Sequence, residues 1–394
     1  MGDVGTFKGG FGFPENEQGN DSGIPFYKVS DMNDRYNALM MKRASNYVSD
    51  SQIDINNWKP ILGQNIIFAK VGAAVYLERK RKVVGPFLLD NNMMSFQPKN
   101  ADIDYIYYIF QRLHISKYAQ VGTLPSLNAG ELRNIKINIP SLAEQRVVAN
   151  IGVKIDQTIT LHEEKKCQLE RLKSALLQKL FADENGNPAV RFKDFSEAWE
   201  SRKLFDVIVK IIDFRGRTPK KMGLNWSERG YLALSALNVK DGFIDFSTDA
   251  HYANEILYKK WMSGNELLKG QVLFTTEAPM GNVAQVPDDS GYVLSQRTIS
   301  FVSNNSEITD NFLAVVLRSS KVQRALSTLA SGGTAKGVSQ STLSQLIMVI
   351  PISLDEQQKI ERIIRIVEEL TRLYQNKLEI LTELKKSLLQ KMFI

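Results

Sequence analysis

The residues best placed to do chemistry are cations on loops punctuated by glycine and proline, and that chemistry is contact with a polyanion. The strongest run is Asp213-Phe214-Arg215-Gly216-Arg217-Thr218-Pro219-Lys220-Lys221. Its four cations, Arg215, Arg217, Lys220 and Lys221, fall within seven residues, and Thr218 adds a hydroxyl. Arginines presented in this way suit guanine edges or phosphates. A second loop, Ser331-Gly332-Gly333-Thr334-Ala335-Lys336, offers backbone N–H groups, Thr334 and Lys336 to a phosphate. An earlier stretch, Gln120-Val121-Gly122-Thr123-Leu124-Pro125, matches it and contributes Thr123. Lys8, Lys70, the run Arg79-Lys80-Arg81-Lys82 and the pair Gln296-Arg297 complete the set. Singly, each reads more readily as a solvated surface loop; the set carries more weight than any member.

Catalytic and metal-binding patterns are missing. His114, His162 and His251 are far apart and Cys167 is the sole cysteine, so neither a thiolate cluster nor an internal disulfide can form. The sequence has no G-x-x-x-x-G-K-[ST], no H-E-x-x-H, no C-x-x-C and no Asn/Asp-Pro-Pro-aromatic run. Asp288-Asp289 lacks a following Glu-x-Lys. No motif argues for a reaction performed by this chain.

What must position the cationic loops is a repeat. Leu142, Glu144 and Gln145 recur as Leu354, Glu356 and Gln357, 212 positions on. Leu176-Leu177-Gln178-Lys179 recurs as Leu388-Leu389-Gln390-Lys391, and Phe181 as Phe393. Upstream the offset becomes 211, where Gly122-Thr123 matches Gly333-Thr334 and Ile139-Pro140 matches Ile350-Pro351. Further back only the outline survives. One part of each copy keeps its residues while the other diverges, as expected if two globular parts read different things and two tails do the same mechanical work.

Each preserved tail follows an Ile-Pro step, where a strand should end. Ser141 and Ser353 then stand as N-caps, with Glu144 and Glu356 at capping-box spacing. Neither tail contains proline for about 40 residues, roughly 60 Å of helix. An apolar stripe runs through Val148, Ile151, Ile155, Thr158, His162, Lys165, Leu169, Leu172 and Leu176. The second copy has Ile360, Ile363, Val367, Leu370, Tyr374, Lys377, Leu381, Leu384 and Leu388 in the same register. Steps averaging about 3.5 residues predict a coiled-coil seam. A lysine at mid-stripe, Lys165 or Lys377, either fixes register there or turns its stem to solvent. Leu161, Leu177, Leu180, Leu373, Leu389 and Met392 lie off the stripe, which suggests a partner packed on the bundle, although drift of a straight helix explains part of it.

The diverged parts read as mixed α/β. Strands are expected near 24–29, 65–70, 272–275 and 298–302, and helices near 103–113 and 311–317. Short strands with distant partners point to a curled sheet rather than a βαβ array. The chain has 394 residues, 43% of them hydrophobic, enough for two or three cored domains. Its net charge of +7 suits a polyanion partner only weakly. No run of about 18 apolar residues occurs to span a membrane, and the lone cysteine fits a reducing, cytoplasmic setting.

Taken together, Ile-Pro, then Leu-x-Glu-Gln, then a long helix ending Leu-Lys-x-x-Leu-Leu-Gln-Lys-(Leu/Met)-Phe, present twice, resembles the specificity subunit of type I restriction-modification systems. Arg191-Phe192, Trp199-Glu200, Lys203-Leu204 and the Arg215-Gly216-Arg217-Thr218-Pro219 loop resemble that family too. The resemblance covers essentially the whole chain. It implies an α+β fold: two mixed α/β target-recognition domains separated by two long helices that form an antiparallel coiled coil, with a pseudo-twofold internal repeat. The expected boundaries are a first recognition domain at 1–140, a helix at 141–182, a linker at 183–190, a second domain at 191–351 and a second helix at 352–394. The first copy has no counterpart of residues 190–203, since Gly2-Asp3-Val4 aligns near Phe205-Asp206-Val207, so the first domain is expected to be N-terminally short.

The implied function is non-catalytic reading of a bipartite, asymmetric site on double-stranded DNA. Ile151, Ile155, Leu169, Leu172, Leu176, Ile363, Val367, Leu381, Leu384 and Leu388 would form the coiled coil and the dock for two modification (methyltransferase) subunits and the motor-nuclease restriction subunits. No cofactor or metal is expected in this chain; S-adenosylmethionine, ATP and Mg would sit on the partners. The competing readings are an orphan DNA-binding or decoy subunit, a protein-binding scaffold, and an enzyme with an unrecognised site. Co-purification with a methyltransferase separates the first from the implied function, and salt-dependent DNA affinity excludes the second. The third requires turnover without partners.

Overall fold

The structure, a computed structural model, describes residues 1–120, 122, 124–182, 186–248, 251–331 and 336–393. The chain divides into two compact units, Met1–Glu163 with Asn376–Ile394, and Glu164–Gln375.

In the first unit, strands of five or six residues pair into an antiparallel sheet. It comprises β1 (Gly5–Gly9), β4 (Gln64–Ala69), β5 (Lys80–Val84) and β7 (Met93–Pro98) in the order β1-β7-β4-β5. Beside it, β2 (Ile24–Tyr27) lies between β3 (Tyr47–Val48), antiparallel, and β6 (Leu88–Leu89), parallel. Helix α1 (Asp50–Ile55) follows β3, and α2 (Ile103–Arg112) follows β7. The Asp102 carboxylate caps α2 by accepting from the amides of Asp104 and Tyr105. A small pair, β8 (Ala119–Gln120) with β9 (Ser126–Leu127), and α3 (Ala129–Arg133) lead to the long helix α4 (Leu142–Lys179).

The second unit repeats this plan. Strands β11 (Ile208–Asp213), β16 (Val272–Thr275), β17 (Val283–Gln285) and β19 (Thr298–Ser303) pair in the order β11-β19-β16-β17. Strand β12 (Tyr231–Leu234) lies between β15 (Tyr252–Ala253), antiparallel, and β18 (Tyr292–Leu294), parallel. Helix α5 (Glu255–Met262) takes the place of α1, and α6 (Asp310–Leu317), capped by Thr309, takes that of α2. The additions are β10 (Glu200–Lys203) paired with β20 (Ile347–Ile350), the hairpin β13 (Val239–Lys240) and β14 (Phe243–Ile244), and α7 (Ser320–Leu329), while α8 (Gln340–Leu343) takes the place of α3. The strand expected to end at Ile350-Pro351 is β20. Its counterpart before Pro140 does not form: residues 136–139 belong to no strand.

Helices α4 and α9 (Leu354–Met392) are continuous over 38 and 39 residues, each roughly 57 Å or slightly more. The Ser141 and Ser353 hydroxyls accept from the amides of Glu144 (3.3 Å) and Glu356 (3.4 Å), so both serines are caps. The reciprocal half of the expected capping box is replaced in the second copy. The buried Glu356 carboxylate instead takes a two-pronged pair from Arg191 (2.8 and 2.8 Å), a stronger partner than a backbone amide.

Each long helix begins in one unit and ends in the other, and within each unit the two segments run antiparallel. In the first unit Lys385 pairs with Asp156 (2.6 Å), which also accepts from the Tyr108 hydroxyl (2.8 Å). Gly152 is required here, because a Cβ would lie 2.6 Å from the Tyr108 ring. In the second unit Lys173 pairs with Glu368 (2.9 Å), while Arg318 bonds Asp241 (2.7 Å) and Glu368.

The buried face of the helices differs from the expected seam. Leu169 and Val367 are buried, and Ile155, Leu176, Leu381 and Leu388 half-buried. Ile151, Leu172, Ile363 and Leu384 are 39, 46, 36 and 46% exposed, and Lys165 and Lys377 face solvent. In α4 the face runs instead through Gln145, Ala149, Asp156, Leu169 and Leu177. A straight helix drifts about 20° per heptad from a 3.5-residue repeat. Each helix must also cover a globular part as well as its partner helix, which rotates the buried face away from a single seam.

Candidate nucleic-acid interface

Strands β12 and β18 run side by side and end at the same edge of the second unit, where the loops after β11 and β16 also arrive. These four loops enclose a cleft of about 610 Å³. Arg217, Thr218, Lys220, Gln296 and Arg297 line it together with Trp226, His251 and Trp261. Residues nearly 80 positions apart therefore meet here, placing cations beside aromatic faces, the combination that suits nucleic acid.

The cations are braced. Asp213 accepts from the Arg215 amide (2.9 Å), the Arg215 Nε (2.8 Å) and the Gln340 amide group (2.7 Å). Burial pushes the Asp213 carboxyl up, but these hydrogen bonds and the guanidinium charge outweigh it and hold it below the usual carboxylate range. Arg217 stacks 4.2 Å from the Phe214 ring centroid and donates to the Trp261 carbonyl. Gln296 donates to the Arg217 carbonyl (3.1 Å), and Lys221 to the Gly216 carbonyl (2.7 Å). Arg297 has φ of 63°, a left-handed conformation unusual for its residue type, and lies 3.6 Å from Glu277. Trp226 stacks on His251 with centroids 5.6 Å apart. Lys220 and Lys336 are exposed.

The equivalent edge of the first unit has the same loops and other side chains. Lys8 is exposed on β1, and Lys70 follows β4 with its ammonium over Gly9. Where the second unit has Ser295-Gln296-Arg297, the first has Asp90-Asn91-Asn92. Burial pushes the Asp90 carboxyl up despite hydrogen bonds from Asn92 and the charge of Lys28.

The basic run 79–82 is mostly internal. Successive strand residues face opposite sides, so Lys80 points into the core, 1% exposed, and is satisfied by Glu78 and the Leu113 carbonyl (3.0 Å). It cannot meet DNA in this fold, contrary to the expectation from sequence. Arg79 donates to Asn33, and Arg81 is half-buried along the Lys80 carbonyl (3.0 Å). Thr123 and Thr334 lie outside the described residues.

Two features have roles that the sequence did not disclose. Gln145, buried, accepts from the Asp102 amide (2.9 Å) and donates to the Pro140 carbonyl (2.9 Å). Gln357, also buried, accepts from the Thr309 amide (3.2 Å) and donates to the Glu307 and Pro351 carbonyls (2.9 and 3.0 Å). Each thus ties a long helix to the N-cap of the helix that closes its own unit. Their recurrence in the repeat was the available signal. The aromatic wall of Trp226, His251 and Trp261 had none.

Among the described residues no cluster of histidine, cysteine, aspartate or glutamate could hold a metal ion. Nor is any helix among the described residues long and apolar enough to cross a membrane.

A domain plan that occurs twice with one strand order, is tied to long helices and bears a cationic cleft in its second copy is suited to nucleic-acid recognition. The family model described as type I restriction modification DNA specificity domain matches residues 1–171 and 196–384, and the chain belongs to this family of specificity subunits. Among curated relatives it is similar to the putative type I restriction enzyme MjaX specificity subunit of Methanocaldococcus jannaschii. That match is 24% identical over 367 residues and covers 87% of this chain and 80% of the relative. The MjaVIII specificity subunit of the same organism is 23% identical over 316 residues, 77% of this chain and 72% of the relative. Among solved structures, the type I restriction-modification S subunit from M. genitalium shares the fold at a TM-score of 0.63 and 14% identity, with 100% of this chain and 94% of that one covered. A chain from a structural study of complex assembly and conformational transition in the type I system matches at 0.52 and 14%, covering 100% and 96%.

Proposed function

We propose that the two units read the two different halves of a bipartite, asymmetric site on double-stranded DNA, with the long helices setting the gap. One observation carries this reading: the same fold, with the same helix clamp, occurs twice, while the side chains at the cleft edge differ between copies. Two modification subunits and the motor-nuclease subunits dock on the helices, whose exposed Ile151, Leu172, Ile363 and Leu384 supply apolar contact. S-adenosylmethionine, ATP and Mg belong to those partners, and this chain contributes recognition without catalysis, in the cytoplasm. The test is to assemble the chain with its modification subunits and sequence the methylated adenines. Two unlike half-sites at a constant gap are expected; a single continuous or palindromic site ends the proposal.

Within it, Arg215→Ala with Arg217→Ala weakens DNA binding by the assembled complex. Loss of two phosphate contacts flattens the slope of log affinity against log salt by about 2. Affinity unchanged across salt removes this loop from the interface.

A further inference from the structure

We propose that Arg43, stacked on Tyr36, is a specificity-determining residue of the first unit and reads a guanine edge; this rests on the proposed function. Residues 28–46 contain little regular structure, yet the loop is held from within. Asp31, buried, accepts from the amides of Lys28 (2.7 Å) and Ser45 (2.9 Å) and from the Ser45 hydroxyl (2.5 Å). Asn37, fully buried, donates to the carbonyls of Asp31 (2.9 Å) and Arg43 (2.8 Å) and accepts from the amides of Lys42 (2.8 Å) and Arg43 (3.1 Å). One amide group therefore grips the backbone of Arg43 on both sides.

The loop projects a single aromatic ring carrying two cations. Tyr36 is 47% exposed, with the Arg43 guanidinium 4.1 Å from its centroid and that of Arg35 at 4.9 Å. Among the described residues the Arg43 guanidinium has no hydrogen bond or ion pair of its own. Stacking holds it as a flat fork of donors at low entropic cost, the geometry that matches the O6 and N7 acceptors of guanine.

Comparison of the two units favours a base over a phosphate. In the second unit the loop after β12 starts with the counterpart of the bond from the Lys28 amide to Asp31, Asn238 accepting from the Ser235 amide (3.2 Å). It then projects Leu237, Phe243 and Phe246 in place of Arg and Tyr. The opening turn is repeated and the exposed side chains are not. A phosphate clamp has no reason to differ between half-sites, whereas a base-reading element must.

The experiment uses the assembled methyltransferase and duplexes that each change one base pair of either half-site. The wild-type complex should prefer one G·C pair by about 10- to 100-fold, the range of a bidentate arginine contact. Arg43→Ala and Arg43→Lys should lose that preference alone, because lysine keeps the charge and not the fork. A uniform drop across all duplexes assigns Arg43 to the phosphates and overturns the inference. Unchanged discrimination by Arg43→Lys, or effects in both half-sites, overturns it too. A wild-type complex with no sequence preference would instead defeat the proposed function itself.

Discussion

Inserting one heptad into both long helices, after Leu161 and after Leu373, lengthens the tolerated gap between half-sites by about three base pairs and leaves the half-sites themselves unchanged. Seven residues add about 10.5 Å of helix, and B-DNA rises about 3.4 Å per base pair. A heptad also falls only about 20° short of two full turns, so the helix faces are kept. Because the insertions occupy equivalent places in antiparallel partners, the Lys385–Asp156 and Lys173–Glu368 pairs both survive. Methylation at the original spacing should drop by at least about 100-fold, since a displaced unit forfeits several base contacts, each worth about 1–3 kcal/mol. Methylation mapping reads both quantities, and retention of the original spacing would refute the ruler.

Phe393→Ala should loosen the first unit, and Phe181→Ala the second. The Phe393 ring lies 5.1 Å from that of Tyr105 and 5.7 Å from that of Tyr108, while its carbonyl accepts from Arg112. Phe181 occupies the same place in the repeat and packs 6.0 Å from Phe312 and 6.4 Å from Trp199. Truncating a buried phenylalanine costs about 3–5 kcal/mol, so local opening should rise by roughly two to four orders of magnitude. Amide hydrogen exchange resolves which unit opens. Equal loss of protection in both units, or none, would count against separate closure by the two aromatic ends.

Much of the scaffold was legible because its signals are local. The run 272–275 is a strand bounded by glycine and polar residues, and Ser353 with Glu356 marks a helix start whatever the rest of the chain does. The repeat conveyed more, since one plan had to serve both copies. The cleft was only half legible. The loop containing Arg217 was visible from its composition, but its meeting with Gln296, Trp226 and His251 depends on parallel pairing of β12 with β18, which periodicity does not encode. Lys80 was misplaced because a basic run does not say which face of its strand is buried. The seam was misread because a heptad pattern assumes a helix with one neighbour. The Arg35-Tyr36-Arg43 cluster escaped notice because its residues are spaced to suit the turn that Asn37 holds.

The division of the chain also fixes an order of assembly at the ribosome. Residues 164–375 are consecutive, so the second unit is whole as soon as they emerge. The first unit, though translated earlier, waits for residues 376–394. Until then Tyr105, Tyr108 and Ile155 lack their cover, and apolar surface of this kind is what chaperones hold and aggregates share. The head made first is therefore the last to close.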